Sequence, residues 1–263
     1  MTAIPLEEDE IEYPDSDGEP MAETEVHLEE MVYIRAAFKK RFQDTPDVYV
    51  AGNLLFYYEK GNREAVVAPD GFVVKGVPKG RRRNYLLWKE GKVPCFVAEV
   101  TSYSTKRKDL GFKKDLYERL GVAEYFLFDP LGEYLKPQLQ GFRLVGRRYR
   151  PMSPGPDGSL VSTTTGVEFH HDGSLLRLTD IATGEPFLRD EEETAARRQA
   201  EKRAVAEAAA RRQAEERAAA EVAARRQAEE RAAAEVAARR QAEERVRALE
   251  EELARLRAAR SQG

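Results

Sequence analysis

An acid and a lysine stand where the packing pattern of this 263-residue sequence calls for core. Glu99 interrupts the apolar run VPCFVAEV (93–100), and Lys113 lies inside a helical pattern over residues 107–120. Plotted at about 100° per residue, that pattern gathers Leu110, Phe112, Leu116, Tyr117 and Leu120 on one broad face. Lys113 falls near its centre, while Gly111, Lys114, Asp115 and Glu118 point to solvent. Burying either charge alone costs several kcal/mol, so each needs a partner. Asp70, in the strand-like run VVAPDGFVV (66–74), supplies a second anion. Two carboxylates from neighbouring strands and one inward lysine make a small, hard site. Oxygen donors of this kind suit Mg²⁺ or Mn²⁺, which keep several waters and bind phosphate oxygens.

Each residue also has a plainer reading. Pro69-Asp70-Gly71 is a good turn sequence between two strands of a hairpin. Glu99 shares its strand face with Val97 and Thr101 and fits the polar side of a half-exposed strand. Lys113 has a stem long enough to carry its ammonium to water. One site accounts for all three at once. The stretches KGVPKGRRR (75–83) and TKRKD (105–109) cluster positive charge on either side of it, as a polyanionic substrate requires. Arg81, Arg82, Arg83 and Lys106 are the candidate phosphate contacts.

The elements that must position these residues follow from periodicity. Residues 1–20, with YPDSDGEP, read as a flexible, turn-rich lead-in. From Met21 to Phe42, Leu28, Met31, Val32, Ile34, Phe38 and Phe42 recur at helical spacing. Strands are expected in DVYVAGNLLFYYEKGN, EAVVAPDGFVVKG and VPCFVAEVTS, then the helix over 107–120 closed by Gly121, then a buried strand in AEYFLFDP. The order α-β-β-β-α-β predicts an α/β fold, a mixed sheet with helices packed on it. Short strands over 139–188 with PDG and DG turns predict a C-terminal β meander. The domain therefore spans 21–188.

Residues 189–263 form a long helical tail built mostly of Ala, Arg, Glu and Gln. RRQAEERAAAEVAA occurs at 211–224 and again at 225–238, a fourteen-residue repeat. Glu207–Arg211, Glu221–Arg225 and Glu235–Arg239 are spaced for ion pairs. Only Ala242, Val246, Leu249, Leu253 and Leu256 keep a 4-3-4-3 seam, so a coiled coil and homo-oligomerisation are expected there alone. Upstream, the same register puts Glu221, Arg225, Glu235 and Arg239 at core positions. No stretch nears the roughly 20 apolar residues of a membrane span, and the acidic start does not read as a signal peptide. The single Cys95 excludes an internal disulfide and fits a reducing cytoplasm. A net charge of −4 argues against general coating of nucleic acid, though not against a local basic patch.

The long pattern APDGFVV…FVAEVTSYSTKRKDLGFKKDLYERLGVAEYFLFDP resembles the Uma-type restriction-endonuclease family of the PD-(D/E)XK nuclease superfamily, over roughly residues 11–145. The resemblance implies a restriction-endonuclease-like core with Asp70 and Glu99 as the acidic pair, and a helix-borne Asp-x-x-x-Lys at Asp109 and Lys113. It further implies metal-assisted hydrolysis of DNA. Asp70, Glu99 and the Val100 carbonyl would hold Mg²⁺, Lys113 would orient water or stabilise the phosphorane, and Glu30 would be an accessory acid from the first helix. Thr101 stands where the wider superfamily has its lysine, so Lys113 must replace it. Gly71 is smaller than the residue expected after Asp70, which would loosen the strand. Two other classes remain open: a nucleic-acid-binding module without catalysis, and a scaffold whose tail is its purpose.

Overall fold

The computed structural model describes residues 12–16 and 24–260; the side chains of 254 and 256–260 are not described. Most of the expected lead-in and the start of the expected first helix lie outside the described residues, as does the Leu256 side chain of the seam. Helix α1 (Glu25–Arg41) starts at Thr24, whose hydroxyl accepts the His27 amide at 3.3 Å. It ends in Lys39, Lys40 and Arg41, which complement the negative end of its dipole. Its buried stripe is His27, Glu30, Met31, Tyr33, Ile34, Ala37 and Phe38. Val32, expected on that face, is exposed.

The chain continues through β1 (Val48–Ala51), β2 (Phe56–Tyr57), β3 (Val66–Val67), β4 (Gly71–Lys75), β5 (Tyr85–Leu86), α2 (Leu87–Glu90) and β6 (Phe96–Val100). A helical crossover follows: a π-helical segment Lys108–Lys113 that runs into α3 (Lys114–Leu120). Then come β7 (Glu124–Phe128), β8 (Leu139–Val145), β9 (Arg148–Pro151), β10 (Leu160–Ser162), β11 (Val167–Asp172), β12 (Leu175–Asp180) and α4 (Asp190–Arg260). The main sheet has six strands in the order β1-β4-β6-β7-β8-β9. Its one parallel pair is β6–β7, the pair joined by the crossover. With α1, the expected α-β-β-β-α-β core is present as a mixed sheet, and β10–β12 form the antiparallel meander.

The sheet is covered on both faces. Phe96, Ala98 and Val100 point into one core with Phe38, Phe126 and Phe169. Val97 belongs to the other, with Phe72, Tyr85, Leu116, Tyr117 and Tyr125. Strand alternation therefore sends Glu99 and Thr101 to the face that α3 covers. All five residues of β6 are buried, which removes the half-exposed-strand reading of Glu99. The hairpin reading of Pro69-Asp70-Gly71 fails as well: β3 pairs with β2, whereas β4 pairs with β1 and β6. That tripeptide carries the chain from one sheet to another.

Gly71 does not loosen its strand; it seats α1. A Cβ there would lie 2.8 Å from Ile34 Cγ2, so only glycine lets the helix approach β4 this closely. Gly71→Val is expected to destabilise the domain by about 1–3 kcal/mol in denaturant titration, with partial rescue by Ile34→Ala. Unchanged stability would mean that this contact does not set the helix position.

The chain divides into two compact units, Met1–Glu192 and Glu193–Gly263. Every residue of the second unit whose side chain is described is exposed. The expected Glu-before-Arg pairs do not form among the described residues. The ion pairs instead run from Arg to the Glu four residues later, as in Arg211–Glu215 and Arg225–Glu229. With arginines about 82% exposed these add little. Val246, Leu249 and Leu253 are uncovered. Truncation after residue 192 should leave the domain's melting transition intact, and Leu249→Ala with Leu253→Ala should abolish self-association in sedimentation. An oligomer surviving the double substitution would rule out this seam.

Candidate active site

The strand end at Glu99, the step at Asp70 and the crossover helix meet at one point. Glu99 has a fully buried side chain, and its Oε2 accepts the Asp70 amide at 3.3 Å. Asp70 Oδ2 in turn accepts the Val100 amide at 2.7 Å. This reciprocal pair of side-chain-to-backbone bonds ties the step before β4 to the end of β6. Lys113 enters from the crossover. Its Nζ lies 2.9 Å from Glu99 Oε2 and 3.1 Å from Asp109 Oδ1, one helical turn earlier. Tyr117, the next residue along this face, donates its hydroxyl to Glu99 Oε1 at 2.9 Å. Tyr125 holds the helix itself, donating to the Asp109 carbonyl at 3.0 Å.

The expected apolar face of the crossover needs correction. Leu110 and Phe112 are exposed, and the buried stripe runs Asp109, Lys113, Leu116, Tyr117. Its first two members are ionic. The broad apolar face drawn from the sequence included its flanks, and the site occupies its centre. Lys113 does not carry its ammonium out to water, since only 12% of the side chain is exposed.

Three carboxylates face one ammonium here, and that imbalance shapes the titration. Burial pushes the Glu99 carboxyl up to about 8 against the pull of Lys113, with Asp70 and Asp109 adding to the rise. Burial likewise raises Asp109. Burial alone would favour neutral Lys113, but Glu99, Asp109 and Asp70 outweigh it and hold its pKa above the ordinary lysine value. The ammonium therefore keeps its proton, and burial favours protonation among the acids instead.

Because the folded pKa of Glu99 lies above its unfolded value, this group stabilises the fold at low pH. That contribution is complete below about 4.5 and is lost as pH rises through about 8. Denaturation in EDTA is expected to show metal-free protein weaker at pH 9 than at pH 6, by on the order of a few kcal/mol. A stability curve flat across that interval would exclude a protonated Glu99.

The donor set fits a hard divalent cation. It is made of oxygens, it carries excess negative charge, and each carboxylate keeps lone pairs beyond the bonds it already accepts. Neither Asp109 carboxylate oxygen accepts a well-aligned hydrogen bond, and the buried Thr101 hydroxyl has no partner. Asp70, with 14% of its side chain exposed, is the most accessible of the three carboxylates. No group of three His, Cys, Asp or Glu among the described residues forms a ready-made metal cluster. Two carboxylates completed by water and phosphate oxygens is the usual arrangement for Mg²⁺.

Other expected residues go elsewhere. Glu30 is buried but accepts both contacts of Arg189 Nη2, at 2.7 and 2.8 Å, and the Leu176 amide at 3.1 Å. It ties α1 to β12 and is not an accessory acid. The first helix instead brings His27, 3% exposed, with Nε2 at 3.4 Å from Asp70 Oδ2. Sequence reasoning missed His27, although it lies four and seven residues before Met31 and Ile34 on the buried stripe. Arg82 is held by Glu90 at 2.6 Å and lies over the Tyr49 ring at 4.0 Å, and Arg83 pairs with Asp15 at 2.8 Å. Both have partners within the fold. Lys106 sits over Tyr103 and Tyr134, 4.4 Å from each ring. Arg81 is exposed and makes no ion pair among the described residues.

A family model described as "Uma2: Putative restriction endonuclease" matches residues 2–175. Among solved structures, the chain is similar to one from Anabaena variabilis ATCC 29413, titled "a putative nuclease belonging to DUF820". Identity is 12% and the TM-score 0.40, over 54% of this chain and 75% of that one. No curated protein matches.

Proposed function

The chain belongs to the Uma2 restriction-endonuclease family, and from that premise we propose that it is a Mg²⁺- or Mn²⁺-dependent endonuclease that hydrolyses phosphodiester bonds of DNA. The observation that carries this reading is the convergence of Asp70, Glu99 and Lys113 within hydrogen-bonding distance of one another, directly or through one backbone amide. Asp70 and Glu99, with the Val100 carbonyl, are the groups that would hold the cation. The chemistry a bound divalent cation supplies is polarisation of the scissile phosphate and acidification of the attacking water.

The protein's own residues do the positioning. Tyr117 fixes one oxygen of Glu99, and the Val100 amide fixes one oxygen of Asp70. Lys113, anchored between Glu99 and Asp109, presents positive charge where the phosphorane develops negative charge. Its position on the helix does the work of the lysine missing at Thr101. His27 packs against Asp70 and limits how far that carboxylate can swing.

The test is incubation with single- and double-stranded DNA and RNA in Mg²⁺, Mn²⁺ or EDTA. Metal-dependent cleavage of DNA supports the reading. No cleavage under any of these conditions, with binding retained, would replace it by a non-catalytic nucleic-acid-binding module.

A further inference from the structure

Several arginines of the domain are already engaged. Arg82, Arg83, Arg143, Arg148, Arg177 and Arg189 each meet a carboxylate. One groove of about 460 Å³, between α1 and β1, gathers several cations that meet no carboxylate among the described residues. Arg35 and Lys39 enter it from α1, and Lys79 and Arg81 from the loop after β4. None of the four forms an ion pair among the described residues. Lys79 donates to the Phe42 and Gln43 carbonyls at 2.7 and 2.6 Å, capping the end of α1. The helix dipole thus accounts for Lys79 and, in the last turn, Lys39. It does not account for Arg35 or for Arg81.

Arg35 and Lys39 stand four residues apart, a like-charge spacing that disfavours the helix. Burial, then Arg35 and Arg81, lower the pKa of Lys39, as expected where cations crowd without an anion. The bond from Arg82 to Glu90 and its stacking on Tyr49 hold the loop that carries Arg81.

One wall of the groove lies against the backbone of Asp70. Gly52 lies in its lining, and a Cβ there would fall 2.2 Å from the Asp70 carbonyl oxygen and 3.6 Å from Arg35 Cδ. Along α1, His27 touches Asp70, and Arg35 and Lys39 follow about 12 and 18 Å further on.

We propose that this groove binds the sugar-phosphate backbone of a nucleic-acid strand and leads it to Asp70 and Glu99. The inference rests on the reading of those acids as a phosphodiester-hydrolysing site. The contacts are to phosphates, so binding is independent of base sequence and falls with salt.

The test is fluorescence anisotropy in EDTA with labelled single-stranded DNA, its duplex, and RNA of the same sequence, over a range of salt. Arg35→Gln, Lys39→Gln and Arg81→Gln combined should weaken binding by about 30-fold at low salt and reduce the salt slope by about 3. The control combines Arg63→Gln, Arg147→Gln and Arg150→Gln, three exposed arginines outside the groove with the same change in charge. It should stay within about 3-fold of wild type, the change expected of non-specific charge. Melting of the groove variant should be unchanged or higher, because repelling charges are removed.

Equal binding by the two triple variants overturns the groove. So does wild-type protein that binds none of the three nucleic acids, even if it cleaves DNA, in which case the acidic site stands without this tract. Binding that the groove variant loses and Glu99→Gln keeps, in a protein that never cleaves, would retain the groove and remove the hydrolytic reading.

Discussion

Lys113→Met is expected to lower metal-dependent cleavage by about 10²-fold or more, the usual loss for one electrostatic or acid–base group. Methionine keeps the apolar stem among Leu116 and Tyr117 and removes the ammonium that lies 2.9 Å from Glu99 and 3.1 Å from Asp109. Mg²⁺ affinity by calorimetry should be kept or raised, since a positive charge beside the ligands disappears. Stability should fall at the same time. Buried carboxylates that lose their counter-charge cost roughly 3 kcal/mol in the metal-free protein. Lowering the pH should recover that loss by protonating Asp109, which also loses its counter-charge, and Mg²⁺ should recover it by replacing the charge. Lys114→Met is the control, because its ammonium lies 3.9 Å from the Phe142 ring centroid and makes no ion pair among the described residues. Equal cleavage by the two variants would reduce Lys113 to a structural counter-ion.

Glu99→Gln is expected to abolish Mg²⁺ binding by calorimetry and to lower cleavage by about 10³-fold, as loss of several kcal/mol of metal-borne charge stabilisation requires. The amide keeps an oxygen for the Tyr117 hydroxyl but turns its NH2 toward the Asp70 amide and Lys113, so the fold should survive at reduced stability. It also removes one of three crowded carboxylates. The metal-free variant should therefore lose the stability decline between pH 6 and 9 that burial of Glu99 imposes on the wild type. Asp70→Ala should likewise lose metal while the fold survives, its carboxylate being partly exposed. Unchanged Mg²⁺ affinity in Glu99→Gln would contradict the ligand assignment. Unfolding would mark Glu99 as a structural carboxylate.

Where the two readings of the molecule part is clearest at its acids. Glu99 and Glu30 are both carboxylates in apolar patterns, and each needed a partner. Glu99 found Lys113, fourteen residues on, through the short crossover. Glu30 found Arg189 and the Leu176 amide, 159 and 146 residues away. The first partnership was legible because the connecting element is local and its helical period fixes which face looks back at the strand. The second was not, because nothing in the local pattern of α1 says which distant strand will cross it. His27 escaped notice for the same reason. Its place on the buried stripe is a local fact, but its contact with Asp70 depends on Ile34 resting over Gly71.

What the amino-acid sequence determined by itself was the order of the core elements, without the short β5 and α2, and the three residues expected to meet. Strand alternation and helical periodicity are short-range properties, and a charge among apolar neighbours is costly wherever the chain goes. The tertiary structure decided which charges are neutralised. It gave Arg82 to Glu90, Arg83 to Asp15 and Arg189 to Glu30, and left Arg35, Lys39 and Arg81 together without an acid among the described residues. Ion pairing acts over a few ångströms between residues any distance apart in the chain, so only the folded arrangement of α1, β1 and the loop after β4 could sort engaged cations from free ones.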